Sequence, residues 1–238
     1  MCSKINSEKK IDKNFVEIIE LLNSNNINYW LCHGTLLGII RDNELIPWDH
    51  DIDIAVWQQK NLKDKIIKIM KKRKFILKEK YLIEDDLLTF IKDGGREVDI
   101  NFYESKKKND EEEVAYIKWY IPRNKLMKTV DAISAANIYT GKYSYIINRL
   151  SFLQYFFKKI KIYLIKKNYF HKSIGYTQPL KLLLNFKKIN FKDLQVSVPY
   201  LSEEYLEYVY GPNWKKPIKK YNWIKDSPST KIVSKPIL

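Results

Sequence analysis

Between Asp51 and Trp57 the chain alternates without a break, with Ile52, Ile54 and Val56 on one side and Asp51, Asp53 and Ala55 on the other. Successive side chains of a strand point to opposite faces, so this segment reads as a β-strand with one buried face and one acidic face. Residues i and i+2 lie roughly 7 Å apart at the backbone, near enough for both carboxylates to lean toward one cation. Two carboxylates about 4 Å apart repel by roughly 4 kcal/mol at an effective dielectric of 20. Such a pair requires a metal, a cationic neighbour or a raised pKa. Oxygen-only ligands favour Mg²⁺ or Mn²⁺ over Zn²⁺. Asp49 adds a further acid at the start of the strand.

A second alternating stretch runs from Glu97 to Tyr103, with Val98, Ile100 and Phe102 opposite Glu97, Asp99 and Asn101. If it lies beside the first, Asp99 completes a group of three acids. Three acids can hold two cations about 3.5–4 Å apart, an arrangement suited to phosphoryl displacement. Glu97 shares the face of Asp99 and is the alternative third acid. A solvated edge strand would explain Asp-x-Asp better if the pair stood alone. Upstream, however, His33-Gly34-Thr35 closes a short strand and opens a helix. Glycine allows close approach of a ligand, and the free amides of a helix start suit a phosphate.

The remaining rhythm indicates an α/β chain. Apolar residues at Ile11, Phe15, Ile18, Ile19 and Leu22 predict an amphipathic helix over 8–22. Short strands are predicted over 28–32, 75–80 and 87–92, and helices over 36–40 and 62–70. Asp93-Gly94-Gly95 predicts a hairpin turn, and 106–113 a charged loop. Residues 144–167 read as one or two aromatic, basic helices, suited to packing on the core or to a membrane interface. A strand or loop from Phe191 leads to a helix beginning near Ser202, and an irregular tail follows Gly211. We expect a small mixed sheet flanked by helices in 1–140 and a helical region over 141–238.

The formal net charge is +15, but 38 of the 43 basic residues are Lys. Specific phosphate and base recognition favours the Arg fork. The charge therefore fits general Lys enrichment and attraction to anionic substrates or a membrane surface better than a nucleic-acid groove. Two cysteines, Cys2 and Cys32, exclude a disulfide framework. The first ten residues have no apolar stretch, and no run of about eighteen apolar residues exists anywhere. A cytoplasmic location is the expectation, with peripheral contact at the inner membrane face through 144–167.

The run HGTLLGIIRDNELIPWDHDIDIAV, His33 to Val56, resembles the signature of the LicD/fukutin family of nucleotidyltransferase-fold proteins. VPYLSEEYLEYVYGPNWKKP, Val198 to Pro217, is similar to that family's C-terminal pattern. The resemblance implies a nucleotidyltransferase-type core and transfer of a phospho-alcohol, of the phosphocholine or polyol phosphate kind, from a CDP-linked donor to a hydroxyl of a glycan or lipid-linked glycan. It implies Asp51, Asp53 and Asp99 as catalytic metal ligands for Mg²⁺ or Mn²⁺. It also implies Gly34, Thr35 and Arg41 at the donor phosphates. His50 interrupts the acidic run usual in the family, which sets Asp49 apart from the ligands. His33 reads as a structural histidine, with donor contact as the alternative; Trp48 and Trp214 read as core residues, with stacking on a base or sugar as theirs. The rival functions are transfer of the nucleotide itself and a non-catalytic polyanion-binding module.

Overall fold

The computed structural model describes residues 11–78, 86–108, 112–136, 139, 142–167 and 171–233. The ends of the segments predicted over 8–22 and 75–80, part of 106–113, the boundary at 140, and Cys2 lie outside these residues.

Helix α1 (Lys13–Ser24) buries Phe15, Ile18, Ile19 and Leu22, the stripe its sequence predicted. Asp12 caps it, its Oδ1 accepting from the amides of Asn14 at 2.9 Å and Phe15 at 3.1 Å. Strand β1 (Trp30–Leu31) is shorter than expected. Helix α2 (His33–Asp42) starts three residues before Leu36, so Gly34 and Thr35 belong to its first turn. Strand β2 (Asp51–Trp57) follows, then α3 (Leu62–Lys72), β3 (Ile76–Leu77) and β4 (Leu87–Ile91). Strand β5 spans Glu97–Lys107 and so continues into the stretch expected to be a loop. Its second half pairs antiparallel with β6 (Glu113–Tyr116), because Glu104 to Lys107 still find a partner ladder there.

The sheet is mixed. Strand β2 is antiparallel to β1 and parallel to β5, with Asp53 directly across from Asp99. Strand β4 is antiparallel to β5, and β3 to β4. The inward residues Ile52, Ile54, Val98 and Ile100 are all fully buried. The β4–β5 turn holds Gly94 at φ +90°, the conformation glycine tolerates best. Helix α1 clamps this hairpin. The buried Asn14 side chain donates to the carbonyls of Lys92 and Arg96, each at 2.9 Å, and Asp12 Oδ2 accepts from the Arg96 amide at 3.0 Å.

The second half is helical over α5 (Ser144–Arg149), α6 (Gln154–Lys166) and α7 (Ser202–Tyr210), following α4 (Lys125–Ser134). It is not helical throughout, as expected from the sequence, but also carries strand. Strand β8 (His171–Pro179) pairs with β6 and with β7 (Trp119–Pro122), so one sheet runs across the two halves. Strands β9 (Phe186–Phe191) and β10 (Leu194–Pro199) form a separate hairpin. The tail folds as well: α8 (Trp223–Asp226) leads to β11 (Thr230–Val233), which pairs with β8. Ladder partners supplied from far along the chain, invisible to local periodicity, make β8 and β11 strands. Among the described residues no helix is long and apolar enough to cross a membrane.

The clamp on the hairpin should be measurable. Asn14→Ala leaves the Lys92 and Arg96 carbonyls without their buried donor, and we expect a loss of about 1–3 kcal/mol in urea denaturation. An unchanged midpoint would show that the hairpin holds its register without α1.

Candidate active site

The N-terminus of α2, the start of β2 and the middle of β5 meet at the floor of a cavity of about 440 Å³. Carboxylate oxygens of Asp51, Asp53 and Asp99 all lie within 4.8 Å of one another there, a group that could hold a metal ion. Parallel register sets Asp53 beside Asp99, and the two-residue period of β2 brings Asp51 to the same face. Each of the three is half-buried, walled by protein on most sides and open to the cavity.

That burial governs their ionisation. Asp99 is pushed up to about 7, first by burial, although a 2.6 Å hydrogen bond donated by the Thr89 hydroxyl opposes the shift. Asp51 is pushed up to about 7 by burial and by the charge of Asp49. Asp53 is raised well above the usual carboxylate range by burial and then by Asp51 and Asp99. A cluster of this kind favours a cation, because a bound positive charge removes the repulsion that keeps the acids protonated. Three oxygen donors suit a hard divalent ion such as Mg²⁺ or Mn²⁺. Glu97 stands outside the cluster and pairs with Lys78 at 2.5 Å.

The structure gives the Gly-Thr pair tasks directed at Asp53. The Gly34 amide, expected to face a phosphate, donates to Asp53 Oδ2 at 3.1 Å. A Cβ at Gly34 would stand 2.3 Å from Asp49 Oδ2 and 3.5 Å from Asp53 Oδ2, so a side chain there would crowd the acids. Thr35 is buried, and its hydroxyl accepts from the Asp53 amide at 2.8 Å; it is not among the residues lining the cavity. Arg41 does line the cavity, with its guanidinium held by Asp42 at 2.7–3.1 Å. His33 is buried at φ +45°, its ring centroid 4.3 Å from that of Tyr176 and its Nε2 3.4 Å from the Tyr103 hydroxyl. Burial lowers it to about 3, so it is neutral. Its Nδ1 finds no hydrogen-bond partner among the described residues, and the side chain lines the cavity.

The walls come largely from segments that sequence reasoning did not link to the site. Trp119, Tyr176, Tyr210, Tyr221 and Trp223 line the cavity, joined by Trp48 and Trp214. Their rings pack on one another, Trp119 to Trp223 at 5.4 Å and Tyr210 to Tyr221 at 5.1 Å. Lys216 and Lys219 add positive charge at the wall, and the Lys219 Nζ lies 5.6 Å above the Trp48 ring. Clustered aromatics near Gly211 and the lysines after Trp214 were the available signal. Nothing local tied Trp119 or Tyr176 to Asp51.

Residues 26–129, which carry all three acids, match the family model for the nucleotidyltransferase domain of LicD/FKTN/FKRP. This stretch is similar to a LicD/FKTN/FKRP-type domain. Ribitol-5-phosphate transferase FKTN of Homo sapiens is 24% identical over 221 residues, covering 91% of this chain and 36% of that protein. Ribitol 5-phosphate transferase FKRP of Homo sapiens is 38% identical over 40 residues, 17% of this chain and 8% of that protein. An uncharacterized protein of Rickettsia prowazekii is 50% identical over 40 residues, 17% of this chain and 15% of that protein. The chain thus spans about a third of the length of the FKTN proteins and less of the others. Among solved structures, the lincosamide antibiotic adenylyltransferase LnuA with lincomycin bound has a TM-score of 0.40 and 12% identity, covering 79% of this chain and 80% of that one.

The three acids of the site set a pH dependence. Their folded pKa values lie above the ordinary carboxylate value of 3.8, so the folded protein holds protons that the unfolded chain releases. That contribution to stability is complete below about pH 4 and lost as pH rises through about 7. In chelator, Asp99→Asn should therefore melt higher than the unsubstituted protein at pH 8, and the gap should close toward pH 5. Thermal melts at both pH values check it; a gap independent of pH would mean that the carboxylates are not repelling one another.

Proposed function

We propose that this chain is a metal-dependent phosphotransferase that moves a phospho-alcohol from a CDP-linked donor to a hydroxyl of a glycan or lipid-linked glycan. The observation that carries this reading is the set of three carboxylates within 4.8 Å at the floor of a cavity walled by aromatic and basic side chains. The match of residues 26–129 to the LicD/FKTN/FKRP model, and the similarity to the ribitol-5-phosphate transferases FKTN and FKRP, support the reaction class.

Asp51, Asp53 and Asp99 would hold the divalent cation, which when bound supplies positive charge against the diphosphate. Arg41, Lys216 and Lys219 add fixed positive charge around the same space. Gly34 and Thr35 act through Asp53: one donates to its carboxylate and the other fixes its backbone. Thr89 orients Asp99 by donating to Oδ1, and Asp99 is the acid we assign to the proton of the attacking hydroxyl. The aromatic wall offers flat faces to a base or a sugar and limits the entry of water. Phosphate would face the Arg41 side of the cavity rather than Thr35. The acids at its centre disfavour a module built simply to bind polyanions.

Two outcomes test the reading. Asp51→Asn, Asp53→Asn and Asp99→Asn should each lower turnover by a factor of a thousand or more, on the order of 4 kcal/mol of transition-state stabilisation, while the protein stays folded. Near-normal turnover in any one of them would remove that residue from the mechanism. With a CDP-linked alcohol, Mg²⁺ and a glycan acceptor, CMP should appear in step with an acceptor that gains the phospho-alcohol. An acceptor that gains the cytidylyl group would instead assign the chain to transfer of the nucleotide itself.

A further inference from the structure

We propose that the exposed face of α5 and α6 is a docking surface for an anionic lipid bilayer. Helix α6 is inside-out for a helix packed on a soluble core. Of its thirteen residues only Lys161 and Ile165 are buried. Lys161 is held to Asp131 of α4 by a 2.9 Å ion pair, and Gln154 donates to the carbonyl of Ser134, so α4 is what anchors it.

The opposite face is aromatic and basic. Phe152, Tyr155, Phe156 and Tyr163 are 57–77% exposed. At about 100° per residue Tyr155, Phe156 and Tyr163 of α6 fall, together with the exposed Lys159 and Lys166, within an arc of about 100°, and Phe152 lies in the 3-10 turn Ser151–Leu153 just before the helix. Tyr145 and Ile146 of α5 extend the apolar surface, and Arg149 lies over the Tyr145 ring at 4.3 Å. From Lys142 to Lys167 the sequence has seven basic residues and not one Asp or Glu.

Charge selects the occupant. A second copy docked symmetrically would set this face against itself, cation upon cation, in a chain of net charge +15. Nucleic acid would satisfy the lysines but bury few of the aromatic rings, since a duplex presents phosphate rather than apolar surface. An anionic bilayer satisfies both: rings enter the interfacial layer while lysines reach the headgroups. The inference is independent of the reaction proposed above.

The test uses the full chain and vesicles of phosphatidylcholine, alone or with about one third phosphatidylglycerol. We expect sedimentation with the anionic vesicles, weaker at high salt, and little with the neutral ones. Lys159→Gln with Lys166→Gln should weaken partitioning about fivefold per charge, about 25-fold together. Phe152→Ser with Phe156→Ser should weaken it at every salt concentration. All four positions are exposed, and matched thermal melts establish that each variant is folded. Equal recovery with the two vesicle types, or variants that bind like the unsubstituted chain, would overturn the proposal. So would a chain that ignores vesicles yet loses self-association or duplex binding through the same substitutions.

Discussion

Strands β2 and β5 run parallel with Asp53 across from Asp99, and the repulsion this register creates is what the surrounding structure must accommodate. At about 4 Å and an effective dielectric of 20, two such charges would repel by roughly 4 kcal/mol, a sizeable part of a domain's stability. The register is nevertheless fixed from both sides. Ile52, Ile54, Val98 and Ile100 bury their shared underside, so a one-residue slip of either strand would turn its two apolar side chains toward the cavity. On the other flank, Thr89 of β4 gives Asp99 a hydrogen bond, and the β4–β5 turn is pinned by Asn14 and Asp12 at the start of α1. A helix far from the cavity thus helps to decide where an acid in it stands.

Charge is distributed to the same end. A chain of net charge +15 gathers three acids, Asp51, Asp53 and Asp99, within 4.8 Å of one another at the cavity floor. Lys78 pairs with Glu97 and Lys92 with Glu17, whereas Arg41, Lys216 and Lys219 ring the cavity at its wall. In the function proposed above, the centre would take a divalent cation and the rim the anionic substrate. The two parts of the chain divide this work: residues before 104 supply the acids, and the segment from Val209 to Ser227 supplies most of the aromatic and basic wall. Strand β8, pairing with β6 and β7, brings Tyr176 to that wall beside His33.

The legible parts of the sequence were those whose signal is local. The alternation at Asp51–Trp57 and Glu97–Tyr103 disclosed two strands and the face their acids share, and the glycines at 94 and 95 disclosed the hairpin. The stripe of α1 was equally plain. Strands β8 and β11 were not, because Lys interrupts them and their partners lie far away in sequence, and β9 was not, because Lys187, Lys188 and Asn190 interrupt its apolar residues. The end of β5 was hidden for the same reason: Lys106 and Lys107 look like loop until β6 is present to receive them. The cavity followed this division. Its acids could be named from spacing, but Thr89, Trp119 and Tyr176 reach it only through register and sheet order.

Gly34 shows how a residue singled out in the sequence can have a task in the structure that the sequence does not state. A glycine at a helix start suggests either a left-handed backbone or room for a ligand. The backbone does not require it, since the only glycines at positive φ among the described residues are Gly94 and Gly211. Room is the requirement, and the groups that use it are carboxylates of the protein itself, Asp49 and Asp53. The amide thereby exposed donates to Asp53 Oδ2, so the positive end of α2 acts first on an acid. A carboxylate oriented by a helix N-terminus and held by Thr35 at its own backbone has little freedom to turn away from its neighbours. Its repulsion from Asp51 and Asp99 cannot be relaxed by rotating out, which leaves protonation or a bound cation as the means of relief. The small residue and the raised pKa values are in this sense one feature of the fold, which a bound cation would complete.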